Sequence, residues 1–182
     1  MKGYKSHWMM LLLAVVLLLG ACTSSHAGQG QLGDAFDPEN PQEYGVRGIY
    51  LGQGIKEAMD VLKPTKYDFM DAVTRESYTL EQLAEGKGTV VMGMILIDRA
   101  QMLIKVRNGV LESIILGGVS EQDAPQFKTN RGVALYDSVE QVKKLYGETT
   151  VGKEMIYKGS KYQILFSVHD NKVIGFRFDP VQ

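Results

Sequence analysis

The chain has 182 residues, 45% hydrophobic and 23% charged, enough for one ordinary globular domain or two very small ones. That composition excludes a disordered chain, a collagen-like chain and a multispan membrane protein. Twenty Lys/Arg against 21 Asp/Glu leave a net charge of −1, with no basic excess to suit nucleic acid, and a single cysteine excludes an intrachain disulfide or an all-cysteine metal site.

Lys2 and Lys5 precede an uninterrupted apolar run of 12 residues, Trp8–Leu19. A basic start, a short apolar stretch and the small residues Gly20 and Ala21 predict a secretory signal peptide over residues 1–21. The run falls short of the roughly 20 residues that a membrane-spanning helix needs. Leu19-Gly20-Ala21-Cys22 resembles the lipobox of bacterial lipoproteins. The resemblance implies diacylglyceryl transfer to the Cys22 sulfur, cleavage after Ala21 and acylation of the new amino terminus. Two or three acyl chains, palmitate among them, anchor a protein stably. Thr23 rather than Asp follows the cysteine, which by the same resemblance favours the outer membrane of a host with two membranes. Loss of Lys2 and Lys5 leaves 18 basic against 21 acidic side chains, so the lipid rather than a polybasic patch is expected to hold the protein to the bilayer.

Residues 22–43 are expected to be a lipidated flexible tether. Thr23–Gln42 is rich in Gly, Ser, Gln, Pro and Asp and has no apolar period. Two units follow, 44–118 and 119–180. Arg47-Gly48-Ile49-Tyr50-Leu51 matches Arg131-Gly132-Val133-Ala134-Leu135, and Gln101–Val106 matches Gln163–Val168. Asn108-Gly109 falls on Asp170-Asn171, and Ile114 and Leu116 fall on Phe176 and Phe178. Ordered matches with an insertion near Tyr67–Lys87 point to a duplicated supersecondary unit.

Each unit reads as an extended segment, a short helix and strands. In the first, Ile55, Ala58, Met59 and Leu62 make a helical stripe that Pro64 ends. Thr89–Ile97 is apolar on both faces and is placed centrally in a sheet. Glu81–Glu85 is a short helix in the insertion, stopped by Gly86. In the second, Ser138 and Gln141 form a capping box, Val139, Val142 and Tyr146 make the stripe, and Gly147 closes the helix. Tyr162, Ile164, Phe166 and Val168 alternate with Lys161, Gln163, Leu165 and Ser167 as a half-buried strand. Asn108-Gly109, Gly159-Ser160 and Asp170-Asn171 are hairpin signals.

The expected fold class is therefore α+β: two tandem repeats of a short helix packed on an antiparallel sheet. The Gly-φ-x-Leu runs, capped helices and Asn-Gly or Asp-Asn turns resemble the helix-then-sheet modules of small bacterial lipoproteins. One such family is the small lipoprotein of the outer-membrane barrel-assembly machinery, and the secreted β-lactamase inhibitor protein is a tandem version of a similar fold. The resemblance implies that fold and a bias toward binding proteins.

Catalytic constellations are not evident. His7 leaves with the signal peptide, His26 sits in the tether, and His169 flanks a turn, so no multi-histidine metal site forms. Leu51-Gly52-Gln53-Gly54 enters a helix but lacks the P-loop spacing. Asp68 and Asp71 match no calcium loop, although their clustering with Asp98 would support a small-molecule or ion site. Met92, Met94 and Met102 read as core residues.

Leu103 and Leu165 point away from the face bearing Met102, Ile104, Ile164 and Phe166. Gln101, Lys105, Arg107, Gln163 and Ser167 share that second face, and Leu111 and Ile115 are expected there too. A sheet face mixing apolar and polar residues suits protein docking or contact between the units. The expected function is a lipid-anchored, extracytoplasmic envelope protein that binds another protein through Leu103, Leu165, Gln101, Gln163 and Lys105, without catalysis, cofactor or metal. A structural accessory of an outer-membrane assembly machine and a small-molecule or ion binder are the alternatives.

Overall fold

The computed structural model describes residues 32–182, so the signal segment, Cys22 and His26 lie outside the described residues. A 3-10 turn at Pro41–Glu43 leads into β1 (Gly45–Val46), β2 (Ile49–Tyr50), α1 (Ile55–Leu62), β3 (Lys66–Asp71) and α2 (Leu80–Ala84). Then come β4 (Val91–Ile97), β5 (Ala100–Arg107), β6 (Val110–Gly117), a 3-10 turn at Ala124–Gln126, α3 (Val139–Tyr146), β7 (Glu154–Lys158), β8 (Tyr162–His169) and β9 (Lys172–Pro180). The class is α+β, with short helices and a seven-stranded antiparallel sheet ordered β3-β4-β5-β6-β9-β8-β7. β1 and β2 form a separate two-stranded ladder. Residues 32–182 make one compact unit, and the β6–β9 pairing crosses the boundary expected at residue 118.

α1 forms because Ile55, Ala58, Met59 and Leu62 recur at helical spacing, and all four are buried. It stops at Lys63, which turns left-handed at φ 46° ahead of Pro64, whose ring disfavours a helical residue before it. α3 starts where the Ser138 hydroxyl accepts the Gln141 N–H at 3.2 Å, and it ends at Gly147 with φ 96°. α2 lies one residue earlier than expected, because Thr79 and Gln82 cap it reciprocally. Val139, Val142 and Tyr146 from α3 join the α1 stripe over Met102, Ile104, Ile114, Leu116, Ile164, Phe166, Phe176 and Phe178 in one core. The helices thus cover one face of the sheet.

Two turns sit where the sequence points. Asn108 and Gly109 have φ of 51° and 77°, and Asp170 and Asn171 have 48° and 62°, as a two-residue hairpin with both central residues left-handed demands. A third hairpin turns at Asp98-Arg99 without a glycine. β5–β6 slips register between Lys105 and Val106, and β8–β9 between Ser167 and Val168. The first slip corrects one expectation. Leu111 pairs with Val106 and is buried, because Glu112 is the extra residue of a bulge and reverses the alternation.

The approaches to α1 and α3 meet their hairpins alike. Ile55 donates its N–H to the Gly109 carbonyl at 2.8 Å, and Val139 to Asn171 at 3.0 Å. Gly52 donates to Leu111 at 2.8 Å, and Tyr136 to Val173 at 2.6 Å. The Gln53 side chain accepts the Tyr50 N–H at 3.2 Å, and Asp137 accepts that of Ala134 at 2.8 Å.

The stretch expected to be tether is fastened to the folded part from Gly33 onward. Phe36 packs among Tyr44, Tyr146 and Tyr157, and Glu43 is fully buried. One aromatic ring in a polar run leaves no period to read, so composition alone pointed to a free segment.

Candidate functional site

The sheet face away from the helices is covered by no helix or strand among the described residues. Strand register sets its side chains in rows. Asp68 pairs with Met94, Met94 with Leu103, Leu103 with Ile115, Ile115 with Arg177, Arg177 with Leu165, and Leu165 with Ile156. One transverse row thus crosses all seven strands, about 29 Å at the usual strand spacing. Its centre is apolar except for Arg177. Met94 is 52% exposed and Ile156 37%, while Leu103, Ile115 and Leu165 are half-buried by their neighbours.

The expected face residues fall here in part as a group. Leu103 and Leu165 lie in the same row, separated by Ile115 and Arg177. Lys105 and Gln163 occupy the next row with Ser113 and Asp179, and Gln101 lies on the other side, opposite Leu96. Met94 is on this face rather than in the core, as are the half-buried Met92 and Leu96; Met102 is buried as expected. Ile156 and Arg177 were missed. Ile156 has the charged Glu154 and Lys158 as same-face neighbours in a short strand, and Arg177 is polar between Phe176 and Phe178, so only the register reveals their place beside Leu165.

Polar contacts line one flank. Ser113 donates its hydroxyl to Asp179 at 2.7 Å, and Arg177 donates to the other oxygen of that carboxylate. Lys105 and Arg107 hold Glu112 at 2.9 and 2.7 Å. Burial pushes the Glu112 carboxyl up, but these two cations outweigh it and keep it below the ordinary range. Between these residues lies an open depression of about 420 Å³, lined by Met92, Lys105, Gln163, Arg177 and Lys158 among others. An apolar strip with a paired, polar rim is the anatomy of a docking surface.

The acids do not converge. Asp68 is exposed on the open face, Asp98 lies in the β4–β5 turn, and Asp71 is buried at the far end of β3 on backbone N–H groups. Among the described residues, no group of three or more His, Cys, Asp and Glu could hold a metal ion. His169 is exposed, 3.5 Å from Asp170. Gly52 and Gly54 flank Gln53, whose side chain and backbone serve the loop into α1. No helix among the described residues is long and apolar enough to cross a membrane. No family model, curated protein or solved structure matches the chain.

Proposed function

We propose that this is a lipid-anchored, extracytoplasmic envelope protein that binds another protein, without catalysis, through its open sheet face. The carrying observation is the row Met94, Leu103, Ile115, Leu165 and Ile156, which leaves an apolar strip uncovered on five strands. An apolar row interrupted only by Arg177 and rimmed by paired charges supports that reading. The lipobox-like Leu19–Cys22 and the preceding basic-then-apolar segment support the anchor at Cys22, and Thr23 supports the outer membrane in a host with two membranes.

The chain is also proposed to hold two copies of one unit. Its support lies in contacts that recur at a constant offset on each side of the insertion: 84 residues before it, 62 after. Ile55–Gly109 recurs as Val139–Asn171, and the register slip at Lys105/Val106 recurs at Ser167/Val168. The β6–β9 pairs Ile114–Phe178 and Leu116–Phe176 exchange under the same offset, as a pseudo-two-fold requires.

The test is crosslinking in whole cells, followed by mass spectrometry of what co-purifies with the protein and of the group on Cys22. The double variant Leu103→Asp, Leu165→Asp is expected to lose a stoichiometric partner while melting within a few degrees of the parent. Capture that survives both changes places binding elsewhere. Unfolding of the double variant makes the two leucines core and removes the docking surface.

A further inference from the structure

The segment that leads toward Cys22 is held by one buried guanidinium. Arg131 pairs through Nε with Glu43 Oε2 at 2.7 Å and through a second nitrogen with the other oxygen; their side chains are 5% and 0% exposed. The same guanidinium donates to three successive backbone carbonyls, Gly33 at 3.1 Å, Asp34 at 3.2 Å and Ala35 at 2.8 Å. Phe36 then inserts its ring 5.2 Å from Tyr146 and 5.9 Å from Tyr157. Further along, the Tyr44 hydroxyl donates to the Pro38 carbonyl at 2.8 Å, and Glu39 accepts the Ser160 N–H at 2.9 Å and its hydroxyl. Gly159 permits this approach, because a Cβ there would lie 1.8 Å from the Pro38 oxygen.

These contacts form three separate fastenings: guanidinium, ring and hairpin tip. None belongs to a sheet ladder, since residues 32–40 lie in no helix or strand. Arg47, 84 residues before Arg131, grips differently: it donates to the Gln126 carbonyl at 3.2 Å and lies 5.1 Å over the Phe127 ring. The segment held there joins β6 to α3 and is continuous with the folded part at both ends. The segment that Arg131 holds is continuous with it at one end only and runs on toward Cys22.

We infer that residues 33–40 are a detachable strap, pinned by Arg131 and Phe36, that sets how much free chain separates the folded part from the lipid at Cys22. The spacer role rests on the anchor proposed above; the strap itself does not. With the strap docked, 11 positions of sequence separate Cys22 from the first fastened residue, Gly33. With it released while Glu43 stays on Arg131, 19 positions separate Cys22 from Pro41, where the 3-10 turn begins. Docking therefore holds the protein close to the bilayer, and release lets it stand off.

The test uses the full lipidated chain in phospholipid vesicles carrying a lipid-bound acceptor dye, with a donor on His169→Cys. The release variant is Phe36→Ser with Gly159→Ala and Arg131→Lys, which removes the ring, the hairpin contact and the guanidinium fork on Gly33–Ala35 while keeping a cation beside Glu43. Hydrogen exchange of the Asp37, Glu39 and Asn40 N–H groups, which donate to Glu43 Oε1, Asp37 Oδ1 and the Asp37 carbonyl, is expected to be slow in the parent and at least about tenfold faster in the variant, with β4–β9 unchanged. Donor–acceptor transfer is expected to fall in the variant. Equal exchange in both proteins, or a variant whose sheet loses protection together with the strap, overturns the strap. Faster exchange with unchanged transfer overturns the spacer role. Absence of an acyl group on Cys22 defeats the anchor and with it the spacer role, while the exchange result still decides the strap.

Discussion

Asp71 fastens both ends of the connection between β3 and β4. Its Oδ1 accepts the N–H groups of Val73 at 2.7 Å and Thr74 at 3.0 Å, and its Oδ2 accepts those of Thr89 at 3.2 Å and Val90 at 3.4 Å. The Thr74 and Val73 N–H groups, foremost among these, hold the carboxyl down to about 2, against an ordinary 3.8. The unfolded chain therefore takes up this proton first as the solution is acidified. The stabilisation is complete above about pH 4 and is lost as the pH falls toward 2. Melting temperatures from pH 5 to 2 should fall less steeply in Asp71→Asn than in the parent, and parallel curves would assign the acid sensitivity elsewhere. Sequence spacing singled out Asp71 as an acid but could not reveal this role, because its partners are backbone groups up to 19 positions away. Leu111 and Met94 were misassigned for related reasons. A bulge shifts the phase of one, and the second sheet face of β4 is open to solvent rather than packed.

Helices were the most legible elements, since a stripe and a cap are local signals. Ser138 caps α3 through the Gln141 N–H, and Ser138→Ala should cost about 1 kcal/mol of stability in chemical denaturation, while Ser138→Asp should retain most of it. An unchanged midpoint for the alanine variant would mean that packing of Val139, Val142 and Tyr146 alone starts the helix. Hairpins were legible at Asn108-Gly109 and Asp170-Asn171, where both central residues are left-handed, and less so at Asp98-Arg99, where only Asp98 is. β3 was not legible. It is an edge strand with only Phe69 and Asp71 buried, while Tyr67 and Met70 are exposed, so its apolar residues do not alternate. The docked part of the expected tether escaped for a different reason. Its fastenings come from Arg131 and Ser160, about a hundred residues downstream, and no local pattern can encode them.

At the scale of the molecule, β6 and β9 join two sets of strands through Ile114–Phe178 and Leu116–Phe176, all buried. Neither set has a core of its own that excludes the other, since residues of both belong to one cluster. Ile114→Ala is expected to destabilise the protein by about 2–5 kcal/mol. Exchange protection in β4–β5 and in β7–β8 should vanish at the same denaturant concentration, whereas two separate transitions would make the sets independent domains. The matches between the two parts of the chain were readable because the matching turn and stripe residues fall in the same order in both. How the parts meet was not, because pairing between two antiparallel edges depends on register rather than on local pattern.

The pairing of Ile115 with Arg177 bears on how any ligand can sit on the open face. A half-turn about that pair exchanges Met94 with Ile156 and Leu103 with Leu165, which are alike in chemistry. It also exchanges Ile115 with Arg177, Met92 with Glu154 and Leu96 with Lys158, which are not. A protein that read only the two leucines would seat equally well in opposite orientations. One that reaches the ends meets thioether and alkyl groups over β4, and a carboxylate and an ammonium over β7. The polarity of this face runs across the strands, so the partner proposed to dock there would meet different chemistry at its head and at its tail.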